Sequence, residues 1–438
     1  MATLLRALPE ARAEQSRSPR AQTAFLVSIL LFAVVLRVAE RVHSGGADFW
    51  TNGYSLFYDL ANNLVHGKGL GLDGGSRAMR MPAYPLFLAL TTLAGKSYLC
   101  IAVAQALMGA GTALCAYLIG RDLFGDGTGL VAASMTALYP YYIVHDTALQ
   151  ETGMFTFLTA LAVFALLRAR RSQRWMVWAS AGFCLGAALL TRQTLAPFAV
   201  AAIVWMGMWG GQARFRRCAT VALAFALTVG PWLVRNAFAI GSPVLTSETG
   251  RQLWNGNNAK TFSHYPGESI DRSAEEAFDA FTAQDWRELD SFGGNEIAES
   301  HWFLKKGIAY IEAHPAATLR AASRKIQAAF SWRFNPVREP LVQAVYQVSY
   351  TPILVLGVLG MALAWRRSKE LSLIYLLFVT FAAVTAIFFA HTSHRSYLDV
   401  YLIVFSAHAL QRIARRAIPS RWYRLSTVGT CPQAAPPA

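Results

Sequence analysis

TGMFTFLTALAVFALLRARRSQRWMVWASAGFCLGAALLTRQT, residues 152–194, decides the fold. An apolar run reaches Arg168 and, at about 1.5 Å per helical residue, crosses much of a ~30 Å hydrocarbon core. The four arginines of RARRSQR (168–174) interrupt it, and a second apolar run then returns to Arg192. Two apolar spans joined by a short basic loop read as a transmembrane hairpin with the loop in the cytoplasm.

The pattern continues both ways. Of 438 residues only 15% are charged, 54% are hydrophobic, and the mean hydropathy is +0.33. A soluble domain has about 25% charged residues, so a soluble globular enzyme and a disordered chain are both excluded. Cys100, Cys115, Cys184 and Cys218 lie in apolar stretches and Cys431 in the tail, with no CxxC and no His at zinc spacing. This is no disulfide scaffold.

Net charge +15 could suggest nucleic acid, but its distribution argues otherwise. Residues 239–345, the only long polar stretch, hold 13 of 25 acidic and 11 of 40 basic residues. The remainder carries 29 basic against 12 acidic residues, and 20 of the 29 sit in short loops or the tails. That asymmetry sets membrane orientation.

The expected fold is an all-α integral membrane protein with about ten transmembrane helices. After a cytoplasmic tail (1–22), helix 1 (23–42) acts as an uncleaved signal anchor, because charges rather than a cleavage site follow it. A non-cytoplasmic loop, 43–97, contains Ser55 to Val65 and Pro82 to Leu93, both too short to span and read as interfacial helices. Helices 2 to 7 follow at 98–119, 128–145, 150–169, 175–191, 194–210 and 217–236. The N-terminal membrane module thus covers 23–238. The mainly helical polar segment, 239–345, lies outside, with helices expected over 295–313 and 315–332. Helices 8 to 10 (346–365, 370–390, 397–413) lead to a cytoplasmic tail, 414–438.

Charged residues at the edge of a bilayer are costly and tend to carry function. On the non-cytoplasmic side, outside the large segment, the acids include Glu40, Asp48, Asp59, Asp146, Glu151 and Asp399. The basic residues there include Arg37, Arg41, Arg77, Arg80, Arg192, Arg235 and Arg395. Carboxylates and arginines meeting on one face suit chemistry on an anionic lipid-linked substrate: a carboxylate supplies a general base, and arginine binds phosphate bidentately. Plainer readings stand beside these. Asp146 and Glu151 suit the start of a helix, Asp399 a cap, Arg80 a snorkelling anchor, and Arg192 and Arg235 anchors at the water boundary. Trp254, in QLWNGNN, reads as an interface aromatic or a sugar-stacking ring. His391 and His394 have no third ligand at suitable spacing and do not read as a metal site; the sequence requires no cofactor and leaves a divalent metal open.

In order along the chain, FYDLANNLVHGKGL (57–70), RMPAYPLFLAL (80–90), HDTALQET (145–152), LLTRQT (189–194), GPWLVRNAFAIGSPVLTSETGRQLWNGNN (230–258) and HRSYLDVYLI (394–403) resemble one superfamily. It comprises the polytopic GT-C-type glycosyltransferases that use polyprenyl-phosphate sugars, the protein O-mannosyltransferases and lipid A aminoarabinose transferases among them. The resemblance implies an active site facing the periplasm of a bacterial inner membrane. It also implies a first-loop Asp as general base, a basic residue beside the P-x-Y stretch for the lipid phosphate, and an acid opening helix 4. Arg80 and Glu151 occupy the last two positions. For the base, eight residues before Ala61 stands Gly53, so the choice lies between Asp48, which sits where the family base sits, and Asp59. Tyr84, His145, Asp146, Arg192, Arg235, Asn236, Trp254, His394, Arg395 and Tyr397 complete the candidate substrate-binding set. The implied partners are a polyprenyl-phosphate sugar and a lipid, glycan or protein acceptor in the bilayer. The rival readings are a lipid or glycan flippase, for which inverted repeats would be expected, and an oligosaccharide ligase or polymerase.

Overall fold

The computed structural model describes residues 19–51, 55–73, 75–93, 95–209 and 211–417. Most of both tails lies outside these residues, as does Gly53. Every regular element among the described residues is a helix.

α1 (Pro19–Thr51) outruns the expected span and breaks at Gly45, whose φ of 76° suits a residue without Cβ. The short piece beyond the break carries Asp48. α2 (Ser55–Val65) has the expected bounds, and α3 (Ala83–Thr92) falls within the second expected interfacial stretch. Phe57 and Ala61 of α2 pack with Tyr84 and Leu88 of α3 over Phe49 and Ile101, which fixes both short helices to the bundle.

α4 (Tyr98–Phe124) is continuous, but the single helix expected over 128–145 is two: α5 (Asp126–Leu138) and α6 (Pro140–Thr147). Pro140 has no N–H to continue the ladder and biases Tyr139 to extended backbone, so a new helix starts there. α7 (Thr152–Arg171), α8 (Trp175–Leu189), α9 (Ala196–Trp209) and α10 (Arg214–Ile240) follow close to their expected positions.

The polar segment folds as α11 (Thr249–Gly256), α12 (Ile270–Asp279), α13 (Ala283–Ser291), α14 (Glu296–Ala313) and α15 (Pro315–Ala329). Asn295 caps α14 by accepting from the N–H groups of Ile297 and Ala298, and His314-Pro315 separates α14 from α15. Its own core gathers Trp254, Trp302, Phe303, Phe278 and Phe281. Lys325 ties α15 to the bundle: it is fully buried and donates to Asn257 Oδ1 at 3.0 Å and to the carbonyls of Ala386 and Ile387 at 3.3 Å. Burial pushes its ammonium down to about 8.

α16 (Pro340–Leu363), α17 (Ser368–Ile387) and α18 (Ser396–Ala417) complete the chain. α18 is the central helix, buried continuously from Ser396 to Ala407 and packed on α4, α5, α7 and α16. The approach of α16 is close: a Cβ on Gly360 would lie 2.0 Å from the carbonyl oxygen of Phe405.

Among the described residues, six helices are long and apolar enough to cross a membrane, and three further apolar helices are shorter. The chain is an all-α, multi-pass membrane protein. α18 is not among the six, because it carries polar groups that the bundle satisfies internally. Its Asp399 takes a bidentate pair from Arg395 (Nε–Oδ1 2.9 Å, Nη2–Oδ2 3.3 Å) and a hydrogen bond from Tyr139 at 3.2 Å.

Candidate active site

The break between α6 and α7 builds the centre of the site. Ending α6 at Thr147 leaves carbonyls with no partner in their own helix, and a membrane protein must satisfy them elsewhere. Gln105 of α4 does so, donating at 2.9 Å to the carbonyls of both Asp146 and Ala148. Tyr84 donates to Gln105 Oε1 at 2.8 Å, so α3 is locked to the same turn. The Tyr84 hydroxyl is thereby spent on architecture.

The turn presents Glu151 at the head of α7. Arg192, at the end of α8, reaches it with Nη2 at 2.5 Å and Nε at 3.2 Å, and lies over the Phe155 ring at 5.1 Å. Both side chains are largely buried, and Arg192 Nη1 is buried with no hydrogen-bond partner. The half-buried Arg80 makes no hydrogen bond or ion pair among the described residues, yet its charge acts on Glu151. His145 is buried, its Nδ1 2.5 Å from Gln150 Nε2 and its Nε2 without a partner. Arg192 also acts on His145, His394 and Tyr397. His394 is held well below its usual range, first by burial and then by that charge. Tyr397 packs edge-on against Phe155 with ring centroids 4.8 Å apart.

One cluster thus unites Arg80, Glu151, Arg192, His145, His394 and Tyr397, drawn from the first loop and from α6, α7, α8 and the entry to α18. It holds cations with free donors and one acid already paired. Such a group can bind an anion and stabilise charge that grows on it.

Asp48 is held separately. Arg41 donates to Asp48 Oδ2 at 2.9 Å, to the Gly45 carbonyl at 2.9 Å and to the Thr147 carbonyl at 3.2 Å. The carboxylate is partly exposed and tied, through Arg41, to the turn that bears Glu151. Asp59 points to the exposed face of α2, opposite buried Phe57 and Ala61.

Other candidates make their contacts inside the scaffold. Asp146 neither caps a helix nor faces the cluster's free donors: it pairs with the fully buried Arg37 at 2.7 Å. Cβ atoms on Gly109 and Gly153 would each come within 2.4 Å of its carboxylate oxygens, so two glycines make its room. Arg395 is spent on Asp399, on the Ala329 carbonyl at 2.9 Å and on the Tyr350 ring at 3.7 Å. Trp254 lies in the core of the polar segment with three phenylalanine rings 5.0–5.3 Å away, where a sugar cannot stack on it. Asn236 donates to the Val244 carbonyl at 2.7 Å and closes the turn after α10. Arg235 donates to the carbonyls of Leu70 and Arg77, bracing the first loop.

Sequence reasoning passed over Gln105, whose neutral amide in an apolar helix was the available signal. It also passed over Glu296, which clasps the first loop by accepting from the N–H groups of Arg77 and Ala78 and from Ser247 Oγ.

Residues 80–234 match the family model for dolichyl-phosphate-mannose-protein mannosyltransferase, a stretch that runs from Arg80 through Glu151 and Arg192. The whole fold is similar to the archaeal oligosaccharyltransferase of Archaeoglobus fulgidus. The form in complex with an inhibitory peptide and a dolichol-phosphate aligns with TM-score 0.57 and 14% identity, over 94% of this chain and 53% of that one. The crystal structure with a tethered acceptor peptide gives 0.54 and 15%, over 94% and 51%. At this identity the likeness is one of fold. This chain spans about half the length of those oligosaccharyltransferases. No curated protein matches it. The cluster at Arg80, Glu151 and Arg192 falls inside the stretch matched by that family model, whereas the polar segment lies beyond it.

Proposed function

We propose that this chain is a membrane glycosyltransferase that moves one sugar from a polyprenyl-phosphate donor to an acceptor at the face of the membrane bearing residues 239–345. In the cell that face is the periplasmic side of a bacterial inner membrane. The observation that carries the reading is a pair of neighbouring guanidiniums with unused donors, Arg80 and Arg192 Nη1, gathered at Glu151. The family match over 80–234 and the dolichol-phosphate bound by the similar archaeal enzyme support it.

The acceptor hydroxyl oxygen attacks the anomeric carbon and gives its proton to Asp48. The bond from that carbon to the phosphate oxygen breaks, and its electron pair leaves with the polyprenyl phosphate. Charge grows on the phosphate as the bond breaks, so Arg80 and Arg192 stabilise the transition state more than the bound donor. A single displacement inverts the anomeric configuration. Glu151 keeps Arg192 in place. The acceptor is a lipid A or lipopolysaccharide group, another glycan or a protein.

Lipid and glycan analysis of membranes from a strain lacking the chain tests the reading. Loss of one sugar from a single class of envelope molecule is expected, with restoration by the wild-type chain. Unchanged glycans together with altered sidedness of a lipid would instead favour a flippase.

A further inference from the structure

The first loop and the end of α10 line an open polar hollow of about 320 Å³ that no step above uses; Asn63, Lys68, Asp73, Arg77 and Arg235 lie along it. Three of these are cationic and one is acidic. The acid is engaged, since Asp73 pairs with Lys68 at 2.9 Å on the exposed rim. Arg235 is fixed by the carbonyls of Leu70 and Arg77 and by Asn236 Oδ1 at 2.9 Å, and none of these neutralises it. The Arg77 guanidinium has no hydrogen bond or ion pair among the described residues, and its like charge acts on Arg235. The carboxylate whose charge reaches Arg235 is Glu296, and its two oxygens are taken by Arg77 N, Ala78 N and Ser247 Oγ.

Arg77 and Arg235 line one polar hollow, and Arg235 feels the like charge of Arg77 as well as the larger opposite charge of Glu296; a bound anion offsets the repulsion that remains between the two guanidiniums. We propose that this hollow is a second anion site, which takes a phosphate-bearing group of the acceptor, apart from the donor-phosphate cluster at Arg80, Glu151 and Arg192. Its volume is near the lower end for small-ligand pockets, enough for a phosphorylated head group and too little for lipid tails. Arg77 precedes Arg80 by three residues, so the two anion sites lie within about 10 Å along the chain. An acceptor anchored here has its hydroxyls beside the donor. The word acceptor rests on the glycosyltransferase reading; the anion site does not.

The test uses the full chain in neutral detergent, titrated calorimetrically with inorganic phosphate and with short-chain phosphatidylglycerol or phosphatidylcholine. The variants are a Lys68→Gln/Arg77→Gln double substitution and Arg80→Ala. Losing charge-assisted contacts should weaken phosphate or phosphatidylglycerol binding about tenfold or more in the double variant, while Arg80→Ala retains that component. Phosphatidylglycerol binding far more tightly than phosphate would identify a lipid head group; equal affinities would identify a glycan or soluble phosphate. No saturable binding by the wild type, or equal binding by wild type and double variant, overturns the site. With total membrane extract as acceptor, the double variant's transfer should recover on raising the extract; recovery on raising the donor instead would give the hollow to the donor and overturn the proposal. Binding that depends on Arg77 in a protein without transfer under any condition would uphold the anion site and remove the transferase reading.

Discussion

Asp48 and Asp59 are eleven residues apart and chemically identical, and their surroundings separate them. Asp48 is held by Arg41, itself fixed to two carbonyls, whereas Asp59 lies on the solvent side of α2. A base must hold a fixed position toward the acceptor hydroxyl, since proximity supplies much of the rate. Asp48→Asn should therefore abolish sugar transfer, with membrane insertion intact, and Asp59→Asn should stay near wild type. An active Asp48→Asn with a dead Asp59→Asn would move the base to α2; activity in both would end the single-base mechanism. At the same scale, Arg395 and Asp399 stand four residues apart on one helix face, a spacing readable as an internal pair. Arg37 and Asp146 are 109 residues apart, and no local pattern joins them.

At the scale of the element, apolar length located the helices well, and interruptions poorly. α2 and α3 were legible because each is bounded by loop residues and too short to span. The split between α5 and α6 was not, although Pro140 stands in plain view, because the combined apolar length fitted one span. The turn that presents Glu151 is the next break, between α6 and α7, and it falls in the gap expected between the helices over 128–145 and 150–169. Buried Lys325 at the junction of α15 and α17 gives a pH test. Its folded value of about 8 lies below the ordinary 10.5, so between those values the unfolded chain binds more protons than the folded one. Stability should then rise with pH through that window, by up to about 3 kcal/mol. Thermal unfolding in detergent from pH 7 to 10 should show wild type gaining stability relative to Lys325→Met. Parallel curves for the two would mean that the lysine titrates alike in both states.

For the whole molecule, α18 shows why a hydropathy reading and the structure differ in emphasis. The least apolar of the late helices is the one the others surround, and it tolerates Asp399 because Arg395 and Tyr139 satisfy it. The sidedness of the bundle follows from the basic loops rather than from contacts. Reporter fusions after Lys260 and after Arg416 should give a periplasmic and a cytoplasmic signal respectively, and the same signal from both would break the topology. That orientation would put Arg80, Arg192 and the helical polar segment on the same side of the membrane.

If Arg80 stabilises the departing phosphate, its removal must show in turnover. Sugar transfer from a synthetic polyprenyl-phosphate donor is measured in detergent, at matched folded concentration, for wild type, Arg80→Lys and Arg80→Ala. Lysine keeps the charge and loses the planar fork, so it should be intermediate. Arg80→Ala should lose about a hundredfold or more in turnover, as well as donor affinity, because the contact strengthens as the bond breaks. Near wild-type turnover in Arg80→Ala would contradict the account and return Arg80 to a membrane anchor.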